Sequence, residues 1–264
     1  MNAASASYPG PPPGSVAARQ LCTHTFTVLA LLAWWGLSRV LPPYLAPSPL
    51  TVLQIVGRFA TELPLFFHVA SSLAHVGSAL LASFVIGSVL AILSKEIGFL
   101  DVLIRGRLLP LVNAFPGVGW AMLALLWFGL GNFSVLFSIG LVLLPAAIIN
   151  MRAAIDQVDA ELLEMARSFG QSRLRVLRHI TLPCLIPLAF ATLRINFGTA
   201  WKVALTAELF GGGSGLGYLM NLARQSYDTA MIFAIFVIMV VLVYGGDRVV
   251  FEPAARLLRR AYGR

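Results

Sequence analysis

The sequence predicts an all-α membrane protein with about six transmembrane helices. Three observations carry that class. Of 264 residues, 58% are hydrophobic and only 11% charged, where soluble domains hold roughly 25% charged residues. Mean hydropathy is +0.84. Apolar runs close to 20 residues, the length at which a helix crosses the hydrocarbon core, recur along the chain. The basic residues between those runs collect in alternate segments. A water-soluble globule is excluded, and the net charge of +8 is spread too thinly for a nucleic-acid face. Two cysteines, Cys22 and Cys184, give neither a disulfide framework nor a zinc site.

Residues 1–22 open with MNAASASYPGPPPGSVAARQ, without periodicity and rich in Pro, Gly, Ala and Ser, which predicts an unstructured tail. A cleaved signal peptide is the competing reading of this end. The run after Arg19 lacks a clear small-residue cleavage site, so an uncleaved helix is preferred. The transmembrane domain is then expected over 23–252, with spans at Thr23–Leu41, Val69–Leu93, Leu108–Leu130, Phe133–Asn150, Cys184–Phe210 and Ala230–Val250. Residues 253–264 form a basic tail. With a cytoplasmic N-terminus, the inner segments, counting Arg248 at the inner end of the sixth span, hold fourteen of the nineteen basic residues. By the positive-inside rule both termini are expected in the cytoplasm.

In the second span Ser83, Gly87 and Ala91 place small side chains on one helix face. Ordinary helix packing and a dedicated subunit contact are both open readings. His75, in the same span, is read as a packed, hydrogen-bonded residue in preference to a proton relay.

The segment 151–183 between spans four and five is the most informative. Asp156, Asp159, Glu161 and Glu164 come first, as suits a helix N-terminus. Leu162, Ala166 and Phe169 then share one face, and Gly170 ends that helix. Ser172 can cap a second helix carrying Leu174, Leu177 and Ile180 with Arg173, Arg175 and Arg178, which Pro183 stops. Two amphipathic helices joined at a glycine need a cover for their apolar faces. The acidic first helix favours a protein partner over the headgroup layer.

Glu164, Ala166, Gly170, Ile180, Leu182 and Pro183 match E-x-A-x₃-G-x₉-I-x-L-P. This spacing resembles the "EAA" loop of permease subunits in binding-protein-dependent ABC importers. Met165 stands where the family most often has alanine. The segments LAPSPLTVL, FPGVGWAMLALLWFGLG and AELFGGGSGLGYLMNLARQSYDT are similar to the subgroup handling nitrate, sulfonates and taurine. The resemblance implies a type I ABC importer permease fold in a bacterial inner membrane. It also implies that 151–183 is a coupling loop docking on a separate ABC ATPase subunit, with the six matched residues coupling to it and Glu164, Ala166 and Gly170 as the docking element. A homodimer, two ATPase copies and an extracytoplasmic solute-binding protein follow from the same resemblance, with ATP bound on the partner subunit.

The chain itself has no G-x-x-x-x-G-K-[ST], since neither Lys95 nor Lys202 follows a glycine. No cofactor of its own and no enzymatic activity are expected. The Gly211–Gly215 run is read as a flexible turn. Lys202 and Arg194 lie about 80° apart around one helix, so both could face one cavity; Arg194 could equally snorkel to the interface. Lys202 is the candidate for the translocation path, with Glu208 as its partner or an outer-gate residue. An ion-coupled secondary transporter is the alternative function. It calls for carboxylates at membrane depth, and Glu208, close to a span end, is thin support.

Overall fold

The structure is a computed structural model describing residues 13–158, 168, 173–176, 178 and 182–262. The described residues form an all-helical bundle. The helices are α1 (Pro13–Val40), α2 (Pro49–Thr61), α3 (Leu63–Glu96), α4 (Gly98–Leu103), α5 (Leu109–Ala114), α6 (Gly117–Phe128), α7 (Asn132–Asp156), α8 (Arg173–Val176), α9 (Leu182–Gly211), α10 (Leu216–Gln225), α11 (Thr229–Gly246) and α12 (Glu252–Tyr262). Single π-turns, Ile104–Leu108 and Asp247–Phe251, join α4 to α5 and α11 to α12.

Four stretches are long and apolar enough to cross a membrane: Leu63–Glu96, Asn132–Asp156, Pro183–Gly211 and Thr229–Arg260, the last running from α11 through the π-turn into α12. A fifth crossing is available if the pair Gly98–Ala114 and Gly117–Phe128 counts as one, and Thr25–Val40 is a shorter apolar helix. The expected straight span Leu108–Leu130 is therefore corrected: the chain bends there by 88°. Pro116 is the cause. A proline pushes its preceding residue out of the helical region, and Phe115 is extended at φ −94°, ψ 132°. The other apolar runs sit inside the helices that contain them. At the N-terminus, helix begins at Pro13, within the stretch expected to be an unstructured tail. A proline in the first turn lacks only an N–H that has no intrahelical partner, and the Ala-containing sequence after it favours helix. At the other end, most of 253–264 is helical as α12.

The core gathers where α3, α7, α9, α10 and α11 meet, around Val76, Leu80, Ile139, Leu143, Trp201 and Ile235. Ser83, Gly87 and Ala91 all lie buried on the α3 face toward α7. A methyl group on Gly87 would sit 2.6 Å from the Ala147 Cβ and 3.2 Å from the Ile148 backbone nitrogen. The small-residue stripe thus serves close packing inside the chain. A second apolar cluster of Ala91, Met151, Ala154, Ile155 and Leu185 closes the end of the bundle next to the 151–183 loop.

Short connections tie the periphery down. Ser48 caps α2 by accepting the Thr51 N–H, and Pro49 occupies its first turn. Arg58 pairs with Glu62 at 2.6 Å between α2 and α3, and that guanidinium holds the Glu62 carboxyl below its ordinary range. Trp34 of α1 stacks on Phe233 of α11 at 5.7 Å between ring centroids and donates its indole N–H to the Pro47 carbonyl.

Candidate functional site

Three polar constellations interrupt the apolar bundle. The first is built on Glu208, near the end of α9 and 1% exposed. One carboxylate oxygen accepts the Ser72 hydroxyl at 2.8 Å and the Gly217 N–H at 2.9 Å. The other lies 2.9 Å from His75 Nδ1. Ser72 and His75 come from α3, where Ser72 also accepts the Leu216 N–H at 2.8 Å, and His68 Nδ1 accepts the Gly215 N–H at 3.1 Å. Three successive N–H groups at the start of α10 are therefore satisfied by side chains. A helix N-terminus attracts anions through such groups, and here the chain supplies its own carboxylate. The glycines make room: a methyl on Gly215 would overlap the Glu208 carboxylate, and one on Gly217 would overlap the Leu205 carbonyl and the Glu208 side chain. Gly215 also has φ +107°, a conformation L side chains rarely adopt.

Two expectations are corrected by this knot. The glycine run is a pinned turn, with Gly212 N–H on the Glu208 carbonyl at 3.0 Å and Gly211 carbonyl on the Gly131 N–H at 2.9 Å. Glu208 faces the bundle interior and does not partner Lys202. Six residues place the two about 120° apart around the helix, one buried and the other exposed.

Lys202 stands on the exposed side of α9. Ala191, Ile195, Thr199 and Lys202 recur at helical spacing along α9, and all four are exposed. Gly198, beside them, has open space where a side chain would start. Lys202 forms no ion pair with any described residue. Arg194 does: its guanidinium donates to both Asp247 carboxylate oxygens, Nε at 2.6 Å and Nη2 at 2.7 Å. Arg194 and Lys202 therefore do not form a joint pair of free cations. Asp247 was not singled out in the sequence, although it lies within the expected last span.

The third constellation sits where α7 delivers the chain into the 151–183 loop. Asp156 pairs with Lys95 at 3.1 Å and Arg152 at 3.1 Å, and more distantly with Arg105 at 3.9 Å. Asp101 pairs with Arg105 at 2.9 Å and Arg152 at 3.3 Å. Arg152 also donates to Ser94 Oγ at 3.0 Å, and Lys95 caps the end of α7 through the Ile155 carbonyl at 3.1 Å. Basic residues that the sequence offers as topological markers are thus a clamp holding the ends of α3, α4 and α7 together. Of the expected ATPase-coupling residues, Glu164, Ala166, Gly170 and Ile180 lie outside the described residues. Leu182 and Pro183 begin α9. Arg173–Val176 is helical and buries Val176, where a second short helix is expected.

Residues 83–251 match the family described as the inner membrane component of binding-protein-dependent transport systems. The chain belongs to that family. It is 26% identical over 253 residues to the taurine transport system permease protein of Escherichia coli (strain K12), covering 92% of this chain and 89% of that protein. Over 213 residues it is 30% identical to the riboflavin transport system permease protein of Chloroflexus aurantiacus, covering 78% of each. It is also 29% identical over 154 residues to a putative aliphatic sulfonates transport permease protein of Escherichia coli (strain K12), covering 58% of this chain and 57% of that one. The fold is similar to that of the MetNI methionine ABC transporter in its inward-facing conformations, with a TM-score of 0.64 at 18% identity over 75% of this chain and 98% of that chain. The chain is thus a multi-pass inner-membrane permease component of an ABC importer. Family membership gives the ion-coupled alternative no support.

Proposed function

We propose that two copies of this chain form the translocation path of a type I ABC importer for a small organic anion of the sulfonate class. The observation that carries the path is Lys202. A cation on an exposed helix face at membrane depth costs several kcal/mol against lipid, so that face belongs against water or protein. Two copies apposed along the Ile195–Lys202 part of that stripe bring two ammonium groups to one cavity. Such a cavity attracts sulfonate or nitrate and repels cations. The names of the taurine and sulfonate relatives support the same solute class.

The energy comes from elsewhere. Two ATPase subunits dock on the 151–183 loops through Glu164, Ala166 and Gly170, with Ile180, Leu182 and Pro183 setting the return into α9. ATP bound by those subunits draws the loops together, and the clamp around Asp156 passes that movement to α3 and α7. A binding protein delivers the solute on the opposite face, beside α10, and both termini of the permease are cytoplasmic.

Uptake of radiolabelled taurine into proteoliposomes containing the chain, its cognate ATPase and binding protein is the test. Lys202→Met should lower uptake at least about tenfold, which corresponds to 1.4 kcal/mol at the barrier, while ATP hydrolysis continues. Wild-type uptake and solute preference in that variant would remove Lys202 from the path. Uptake driven by an ion gradient without ATP would overturn the importer reading.

A further inference from the structure

A pocket of about 330 Å³ opens between the first half of α9 and the C-terminal helix α12. Phe190 and Ala191 line it from one side and Ala255 and Leu258 from the other, with Arg194 and Arg259 at its polar edge. We infer that this pocket holds an anionic phospholipid, its phosphate on the two guanidinium groups and an acyl chain along the apolar wall.

Depth places the pocket at a headgroup layer. Thr229 and Gly211 mark one end of the bundle, and Asp247 and Arg194 stand 18 and 17 residues away along α11 and α9. At 1.5 Å per residue both lie roughly 25 Å from that end, inside the edge of a hydrocarbon core about 30 Å thick. Pro187 and Leu258 lie beyond that edge. The pocket therefore straddles the boundary between acyl chains and headgroups, whichever way the protein is oriented.

Charge selects an anionic lipid. Arg194, Arg248, Arg256, Arg259 and Arg260 stand with only Asp247 and Glu252, an excess of three positive charges. Asp247 takes two donors of Arg194, Glu252 takes Arg256 at 2.8 Å and Arg248 at 3.6 Å, and Arg259 pairs with no described residue. A guanidinium carries five N–H donors, so Arg194 keeps others for a phosphate. Basic pockets between membrane helices recognise anionic headgroups in this way. A protein partner is the weaker fit, because Arg256, Arg259 and Arg260 beside Leu257 and Leu258 make the second half of α12 a basic amphipathic turn suited to the headgroup layer.

The test uses the purified full-length chain in neutral detergent, titrated with phosphatidylglycerol, with phosphatidylcholine of the same acyl chains, and with inorganic phosphate. Native mass spectrometry reads bound lipid and a thermal shift reads stabilisation. Phosphatidylglycerol should be retained and raise the melting temperature, with phosphatidylcholine and phosphate doing neither. Arg259→Gln should weaken retention about fivefold, the value of one basic residue near an anionic headgroup. Ala255→Phe, which fills the pocket and leaves every charge in place, should weaken it as well, and Arg224→Gln on α10 should change nothing. Equal retention in Ala255→Phe, equal binding of the two lipids, or an equal shift with phosphate would each overturn the assignment. So would unchanged lipid retention in Arg259→Gln together with lost binding of the ATPase subunit, which would give the pocket to that protein.

Discussion

The Glu208 carboxylate accepts the Gly217 backbone N–H at 2.9 Å, so an acid from the end of α9 lies against the first turn of α10. Ser72 and His75 share the same two oxygens. Glu208→Ala leaves all three groups without this acceptor, at about 1–3 kcal/mol for each buried group left unsatisfied. Thermal unfolding in detergent should show Glu208→Ala well below wild type. Glu208→Gln should fall between them, since its amide keeps one acceptor oxygen. An unchanged melting temperature in Glu208→Ala would remove the knot from the account of stability.

Gly87 and Gly77 lie on the same helix, α3, in opposite situations. A methyl on Gly87 meets Ala147 at 2.6 Å, while nothing lies within 4 Å of one on Gly77. Gly87→Ala should destabilise by about 1–3 kcal/mol through overpacking. Gly77→Ala should be neutral or slightly stabilising, because alanine is the better helix former. Equal melting temperatures for the two variants would contradict the close α3–α7 packing.

Arg194 and Asp247 hold α9 to the π-turn after α11 through two hydrogen bonds. Each single neutral variant, Arg194→Gln or Asp247→Asn, leaves its partner's charge without a counterion. The double variant should therefore lose less melting temperature than the sum of the singles. Strict additivity in that cycle would show that the pair does not act as a unit.

Asp156 is shared by Lys95, Arg152 and Arg105, and its side chain is half exposed. Asp156→Asn should lower the melting temperature most in dilute buffer, where a Debye length of about 10 Å at 0.1 M salt still lets these charges interact. The gap to wild type should narrow near 1 M salt. A gap independent of salt would point to lost hydrogen bonding in place of charge.

The spans and the family are legible in the sequence because each signal is local. Apolar runs announce themselves within about 20 residues, and the run from Glu164 to Pro183 is one continuous motif. What the sequence hides joins distant positions. Ser72 and His75 meet Glu208 from 136 and 133 residues away, and Arg194 meets Asp247 across 53. His75 was legible as a packed residue, but its partner was not. Sequence proximity leaves Glu208 open as a partner of Lys202 or an outer-gate residue, whereas the helix turns the two to different sides. The bend at Pro116 is hidden for a related reason: an apolar composition fixes that a segment avoids water, and leaves its path through the bilayer open. A sequence signal did exist for the knot, a carboxylate followed by glycines just before an amphipathic helix.

No proline interrupts α3 after Pro64, and the helix runs unbroken to Glu96. Its Ser72 and His75 sit in the Glu208 knot, and its Ser94 and Lys95 sit in the clamp with Arg152 and Asp156. About 20 residues separate the two attachments, a rod of roughly 30 Å. A rod of fixed length works as a strut: a push or twist at one end arrives at the other without a relay of side chains. The helix that looks like the plainest apolar run in the chain is thus a mechanical member bolted at both ends.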